Sequence, residues 1–113
     1  MPEIKICGVN NLEFAVEAER LGANYLGFIL VPGTPRYVTP EFVLECRKHL
    51  KGSAKVVLVV KEVDEALIKL INPDVVQLHK KATPEELAKI DCECWSLAGG
   101  AVRDGVLYDS THA

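Results

Sequence analysis

The sequence predicts an α/β fold in which parallel strands alternate with helices. The apolar runs Tyr25 to Val31, Ala54 to Val60 and Asp74 to Leu78 are mostly continuous, as in strands that are covered on both faces. Segments with the apolar spacing of helices separate these runs. A chain of 113 residues, 49% of them hydrophobic, can bury one core. We therefore predict a single domain over residues 1–113.

The helix ends are visible in the sequence. The first three helical patterns stop at Gly22, near Gly52 and before Pro73, and two helix starts are marked by Thr39 and Thr83, each followed by Pro. After Thr83 a Glu at the third helical position completes a capping box. We predict four helices and six strands, the strands near residues 3–7, 24–31, 54–60, 74–78, 93–97 and 105–109.

This alternation fits either a (βα) barrel or a doubly wound open sheet. Both folds use the carboxyl ends of their strands for chemistry, so the position of the candidate residues does not separate them. The chain has no Gly-x-Gly-x-x-Gly after its first strand and no Gly-x-x-x-x-Gly-Lys. Because those are the nucleotide-binding signatures of open sheets, their absence favours the barrel.

The charge and the apolar content of the sequence limit the kinds of molecule that it is expected to bind. The formal net charge is −3, and Lys and Arg are scattered, which disfavours nucleic acid and anionic lipid as partners. No apolar stretch reaches the roughly 18 residues of a membrane span, and the first residues do not resemble a secretion signal. We expect a cytoplasmic protein with a small-molecule or protein partner, no membrane association and four free thiols.

Two residues at predicted strand ends could transfer protons. Cys7, in Lys5-Ile6-Cys7-Gly8-Val9, could be a buried filler or a thiolate base. Asp109 follows three apolar residues and could cap a turn or act as an acid. If they face each other across the mouth of a barrel, they provide an acid and a base on opposite sides of a bound sugar.

Two further residues could bind a substrate. Arg36 lies in a loop restricted by two Pro and one Gly, so its guanidinium could be held for a carboxylate or simply be solvated. His79 ends another strand and could line a site or serve a structural role. Cys92-x-Cys94 offers two thiols without a second pair, so we predict no metal site.

Four segments together resemble the phosphoribosylanthranilate isomerase family: Lys5-Ile6-Cys7-Gly8-Val9, Gly27-Phe28 with Pro35-Arg36-Tyr37-Val38-x-Pro40, Val75-Val76-Gln77-Leu78-His79, and Leu107-Tyr108-Asp109-Ser110. They occur in the family's order and span nearly the whole chain. The resemblance implies a (βα)8 TIM barrel, of which this chain would hold six strands and lack strands seven and eight.

The resemblance also implies a reaction of tryptophan biosynthesis. The expected substrate is N-(5'-phosphoribosyl)anthranilate, which undergoes an Amadori rearrangement to the 1-deoxyribulose phosphate without metal or organic cofactor. Cys7 would be the general base at the sugar C2 and Asp109 the general acid at the ring oxygen. Arg36 would hold the anthranilate carboxylate, and His79 would line the pocket.

Three departures from the family are visible. The Gly-rich segments that hold the substrate phosphate on the family's last two strands have no counterpart here. Only six residues, Gly99 to Asp104, link the fifth and sixth strands, whereas a parallel crossover normally needs a dozen or more. Lys80 stands where the family usually has Gly, which makes the assignment of His79 less secure.

An open arc of six strands leaves two sheet edges without partners. We therefore expect association with a second copy or a complementing chain, and a non-catalytic half-barrel that self-associates is the alternative function. A third interpretation, a phosphosugar epimerase, would need metal-ligating His and Asp at successive strand ends, of which only His79 and Asp109 are present.

Overall fold

The computed structural model describes residues 3–107, which form one parallel sheet of six strands in sequence order. The predicted alternation of strands and helices is confirmed, while Asp109 lies outside the described residues. The strands are β1 (Lys5–Cys7), β2 (Tyr25–Ile29), β3 (Lys55–Val60), β4 (Val75–Leu78), β5 (Glu93–Leu97) and β6 (Gly105–Leu107). The helices are α1 (Leu12–Arg20), α2 (Pro40–His49), α3 (Glu65–Ile71) and α4 (Pro84–Ala88).

Side chains cap the amino ends of the helices. Thr39 accepts a hydrogen bond from the Phe42 amide, and Thr83 forms the predicted capping box with Glu86. Asn11 and Asp64 cap α1 and α3 in the same way, although the apolar spacing alone had not marked them. Across residues 3–107, no helix is both long enough and apolar enough to cross a bilayer.

The main core lies between the sheet and its four helices. Leu26, Phe28, Leu58, Val76 and Leu78 point from the strands toward the helices and are almost completely buried. The helices and the segments next to them contribute buried apolar side chains in return, namely Ala15, Val43, Cys46, Ile71, Leu87 and Ile90. This packing fixes the outer face of the sheet and leaves the alternate residues of each strand on the opposite face.

That opposite face is concave and carries a smaller cluster. Val57, Val59 and Val75 are buried there, and Tyr25 and Trp95 pack against them with ring centroids 5.3 Å apart. An edge-to-face arrangement of two rings at this distance is favourable for aromatic pairs. The concave face corresponds to the interior of a barrel.

A contact across the concave face shows how strongly the sheet curves. The Lys5 ammonium on β1 donates to the side-chain oxygen of Gln77 on β4, although two strands lie between them. The same ammonium lies 5.7 Å from the centroid of the Trp95 ring on β5. A flat sheet would hold β1 and β4 roughly 14 Å apart, since neighbouring strands are spaced by about 4.8 Å. The six strands therefore form an arc of a barrel, as predicted.

Polar side chains tie neighbouring strands together at the amino ends of the sheet. Asn24, Asp74 and Asp104 each directly precede an even-numbered strand. Each accepts a hydrogen bond of 2.7 to 2.9 Å from the backbone amide opposite it, from Ile4 just before β1, Val56 on β3 and Cys94 on β5 respectively. The same type of hydrogen bond, from a backbone amide to a side-chain oxygen, thus joins the amino ends of the pairs β1–β2, β3–β4 and β5–β6.

The crossover between β5 and β6 contains no helix. Because Gly105 pairs with Trp95, residues 98–104 return only from Leu97 to the level of Cys94, a distance of about 10 Å along the strand, which seven residues can span. Ala101 pairs antiparallel with Ala82, and its carbonyl accepts a hydrogen bond from the Ser96 hydroxyl at 2.7 Å. A short link of turns and bends, with one bridge at Ala101, therefore takes the place of the usual helix.

Arg103 holds the end of this crossover in place by hydrogen bonds. Its guanidinium donates to the backbone carbonyls of Leu87 and Ile90 at 2.9 and 2.8 Å and also to that of Cys92. It also pairs with Asp104 at 2.9 Å, the residue that bonds to the Cys94 amide. The short link is held by one planar cation that reaches several carbonyls at once.

Glu19, a buried carboxylate at the end of α1, anchors the loop that leads into β3. Its side chain is only 7% exposed and accepts backbone hydrogen bonds from Lys51, Gly52 and Ala54 at 2.7 to 3.1 Å. Burial raises the pKa of this carboxyl group, but the three amide donors outweigh that effect, so the pKa lies below its ordinary value of 4.5. The charged form of Glu19 therefore stabilises the fold.

We expect Glu19→Gln to lower the free energy of unfolding at pH 7 by about 1 to 3 kcal/mol, because one donated amide hydrogen bond meets an NH2 group and the charge is lost. A depressed carboxyl pKa contributes stability above the pKa of the unfolded chain, and this contribution disappears as the pH falls through the folded-state value. In urea unfolding followed by circular dichroism, the wild-type advantage should therefore shrink as the pH falls below the ordinary carboxyl pKa of 4.5.

The matched control is Glu17→Gln on the same helix. Glu17 is exposed and pairs only with Arg20 three residues later, so its loss should change stability little. Equal losses in the two variants, or a Glu19→Gln loss that does not depend on pH, would contradict the anchoring role.

Candidate active site

A tight turn directly after β1 presents Cys7 at the carboxyl end of the sheet. The amides of Gly8 and Val9 both donate to the carbonyl of Gly27 at 3.0 Å. Gly8 has a φ of +80°, a backbone conformation that side chains disfavour, and Val9 is fully buried below it. The turn leaves Cys7 exposed as a free thiol, so the interpretation of Cys7 as a buried filler is wrong.

The loop after β2 is fixed at several points and carries Arg36. The Thr34 hydroxyl donates to the Val31 carbonyl at 2.8 Å, and the Tyr37 amide donates back to Thr34 at 3.2 Å. Tyr37 then forms an isolated parallel bridge with Ile29, the last residue of β2. The backbone on both sides of Arg36 is therefore held in place, as the Pro and Gly content of the loop predicts.

Arg36 lies directly over the turn that carries Cys7. Its Nη1 is 3.4 Å from the Cys7 carbonyl oxygen, a long and weak contact. A β-carbon at Gly8 would come within 2.5 Å of the Arg36 Cδ, so this close approach requires glycine. Cys7 and Arg36 line one open cleft of about 840 Å³ beside the amino end of α1, together with Asn10, Glu13, Phe14 and Glu17.

Below Cys7, a second glycine makes room inside the arc. A β-carbon at Gly27 would lie 3.4 Å from both the Cys7 sulfur and the Lys5 Cε. Lys5 and Cys7 are two residues apart on β1 and so project to the same concave face. Their side chains share the space left by Gly27.

His79 lies at the same end of the sheet but apart from this pair. It is exposed at the end of β4, its amide donates to the Val60 carbonyl at 2.8 Å, and β2 and β3 separate it from β1. It does not line the cleft that Cys7 and Arg36 share. Asp109, the predicted acid, lies outside the described residues, so the pairing of Cys7 with Asp109 stays a prediction.

Lys80 occupies its position without backbone strain. Among residues 3–107, Asn72 is the single non-glycine residue with a positive φ, so the backbone of Lys80 is in an ordinary region. The Lys80 ammonium bonds to Glu86 at 2.8 Å and Glu62 at 3.3 Å, and these two hydrogen bonds raise its pKa. The side chain therefore joins the loops after β3 and β4 next to His79.

The remaining cysteines are less exposed than Cys7. Burial raises the pKa of the Cys46 and Cys94 thiols to about 11 and also raises that of Cys92. Cys92 and Cys94 both face the main core. No group of three or more metal-ligating side chains occurs within the part of the chain that the structure describes.

Comparison with known proteins assigns the family. Residues 4–97 match the family model for N-(5'phosphoribosyl)anthranilate (PRA) isomerase. The chain belongs to this family. The N-(5'-phosphoribosyl)anthranilate isomerase of Agrobacterium fabrum is 37% identical over 93 residues, which are 79% of this chain and 42% of that relative.

Solved structures of the family have the same fold. The phosphoribosyl anthranilate isomerase of Thermus thermophilus superimposes with a TM-score of 0.77 and 31% identity, over 88% of this chain and 55% of that one. A second structure, of a phosphoribosyl anthranilate isomerase in complex with reduced 1-(o-carboxyphenylamino)-1-deoxyribulose 5-phosphate, has a TM-score of 0.78 and 27% identity, over 85% and 53% of the two chains. This chain spans about half the length of these proteins.

We predict that Cys7 is the fast-reacting thiol of the folded chain. Iodoacetamide reacts with thiolates, and at pH 7.5 Cys46 and Cys94 are both buried and protonated because their pKa is about 11. Peptide mass spectrometry of the alkylated chain should therefore show Cys7 modified first, at least about tenfold faster than either buried thiol.

A Cys7→Ser variant provides the control, since it should lose the fast phase and keep the slow ones. The fast phase would instead persist in that variant if Cys92, which is half-buried, were the reactive thiol. That result would show that Cys7 is not the accessible nucleophile.

Proposed function

We propose that this chain takes part in the isomerisation of N-(5'-phosphoribosyl)anthranilate to 1-(2-carboxyphenylamino)-1-deoxyribulose 5-phosphate, a step of tryptophan biosynthesis in the cytoplasm. The observation that carries the proposal is the placement of Cys7 and Arg36 side by side at the carboxyl end of the arc, in a member of this family. In a barrel this end is the catalytic face.

In the proposed mechanism, Cys7 and Asp109 share the proton transfers. Asp109 protonates the ring oxygen of the ribose, which opens the ring to a protonated imine. The Cys7 thiolate then removes the proton from C2, and the electrons of that bond move toward the imine to give the enolamine, which tautomerises to the ketone. The exposure of the Cys7 thiol is compatible with this role, because the base must reach the substrate.

Arg36 and His79 bind the substrate in this proposal. Arg36 presents a planar cation beside Cys7, and this geometry suits the carboxylate of the anthranilate ring. The fixed loop around it and the glycine beneath it keep the guanidinium next to the backbone of Cys7. His79 would form the wall of the pocket farther along the same edge, beside the loop that Lys80 braces.

We expect the purified chain to convert N-(5'-phosphoribosyl)anthranilate, and Cys7→Ala or Asp109→Asn to lower the rate at least about 100-fold, the usual contribution of a general base or acid. Substrate and product are separated and quantified by chromatography. Cys92→Ala is the matched control because that half-buried thiol faces the core and should leave turnover unchanged.

Undiminished turnover in Cys7→Ala or Asp109→Asn would overturn the role of that residue. If the wild-type chain of verified mass converts no substrate, the proposed activity is wrong for this chain by itself, and a non-catalytic role becomes the better explanation.

Self-association through the sheet edges is the second candidate function, and the exposed apolar side chains at both edges favour it. Within residues 3–107, β1 pairs only with β2 and β6 only with β5. Ile4 and Phe14 are half-exposed near the β1 edge, and Val102 and Val106 are more than two-fifths exposed at the β6 edge. Unpaired strands with apolar neighbours are the usual sites at which chains associate.

For this second candidate, we expect sedimentation velocity to show a dimer or larger species at micromolar concentration and Phe14→Lys to shift it toward the monomer. Leu70→Lys is the matched control, because Leu70 is equally exposed on α3, away from both edges. A monomer at all concentrations, or equal effects of the two substitutions, would contradict association through the edge of β1.

A further inference from the structure

The mechanism above leaves Lys5, a charged side chain of the concave face, without a role. Lys5 projects into the concave face, is half-buried, and donates to Gln77, which is only 8% exposed. Its ammonium also lies 5.7 Å from the centroid of the Trp95 ring, within the range of a cation–π contact. A lysine directed inward and held by contacts to two other strands is not a solvated surface charge.

The position of Lys5 relates it to Cys7. The two residues lie on the same face of β1, and both the Lys5 Cε and the Cys7 sulfur are 3.4 Å from the point where Gly27 would carry a β-carbon. The Lys5 Cε and the Cys7 sulfur are thus at most 6.8 Å apart, while Gln77 and Trp95 hold the charged end of Lys5 beneath the site.

We propose that Lys5 is a positioning residue for Cys7 and that its ammonium supplies the positive charge that stabilises the thiolate form. The proposal rests on the proposed role of Cys7 as the base. A cation near a thiol favours its thiolate form. Because other side chains hold the Lys5 ammonium, it would keep its place beneath Cys7 while substrate enters. Gly27 is what allows the two side chains to approach each other.

Other charged groups also surround Cys7 and must be kept constant in a test. Arg36 lies over Gly8 on the outer side, and Glu13 and Glu17 line the same cleft from α1. Further titratable groups lie farther along the described arc. They include Tyr25 on β2, Lys55 on β3 and Glu93 on β5, and also Lys61, Glu62, His79, Lys80 and Lys81 in the loops after β3 and β4. Variants that differ only at Lys5 keep all of these groups.

The test is the rate at which iodoacetamide alkylates Cys7 in the full chain at pH 7.0, measured by peptide mass spectrometry. We expect Lys5→Met to react at least about threefold more slowly than wild type, because it keeps the stem and loses the charge. Lys5→Arg, which keeps a cation, should stay within about twofold of wild type. In 1 M NaCl the difference between Lys5→Met and wild type should shrink.

Lys55→Met is the matched control for the removal of a lysine charge from this sheet. Lys55 stands at the amino end of β3, with its ammonium 5.9 Å from the centroid of the Tyr25 ring, and its loss should not change the alkylation rate. A Lys5→Met rate equal to wild type would overturn the proposal. So would a Lys5→Arg rate as slow as that of Lys5→Met, since packing rather than charge would then explain the effect.

Circular dichroism checks that each variant folds. If Lys5→Met does not fold, Gln77→Met replaces it, because it removes the acceptor that holds the ammonium while Lys5 itself remains. That variant should also slow the alkylation of Cys7, and an unchanged rate would overturn the proposal. Alkylation needs no turnover, so a chain that fails to isomerise the substrate still tests the effect of Lys5, and the two proposals fail separately.

Discussion

The curvature of the parallel sheet is the constraint on which the other features depend. Because all six strands run in the same direction, their carboxyl ends meet at one edge, and because the sheet curls, residues from distant strands meet in its interior. Lys5 can reach Gln77 and Trp95 only in a curved sheet. The same curvature turns the end of β1, with Cys7, toward the space that the loops after the other strands surround.

The two ends of the sheet serve different purposes. At the amino ends, buried or paired carboxylate and amide side chains satisfy backbone donors: Asn24, Asp74 and Asp104 between strands, and Glu19 beneath the loop before β3. At the carboxyl end, Cys7 and Arg36 are exposed and, within residues 3–107, form no strong side-chain hydrogen bond. Groups that stabilise the fold are thus separated from groups free to meet a substrate, the division of labour expected of a barrel.

Much of the fold could be predicted from local patterns, because continuous apolar runs and helix caps are short-range signals. Thr39 and Thr83 mark helix starts within four residues of sequence. The approach of Arg36 to Cys7 depends on the pairing of β1 with β2, which no local pattern encodes, and only the resemblance to a family had connected the two residues. Lys5 had no signal at all, since its partners lie more than seventy residues away.

The crossover from β5 to β6 shows how a rule derived from typical folds can be satisfied in another way. A parallel connection usually needs a helix because the chain must return along the sheet and cover its outer face. Here a short link of turns and bends makes the return, and Arg103 holds it by donating to the carbonyl of Leu87 in α4 and to those of Ile90 and Cys92 before β5. The segment covers less surface than a helix would, and Val102 and Val106 remain exposed as a result. The shortness of this link and the exposed apolar side chains at the β6 edge therefore have the same physical cause.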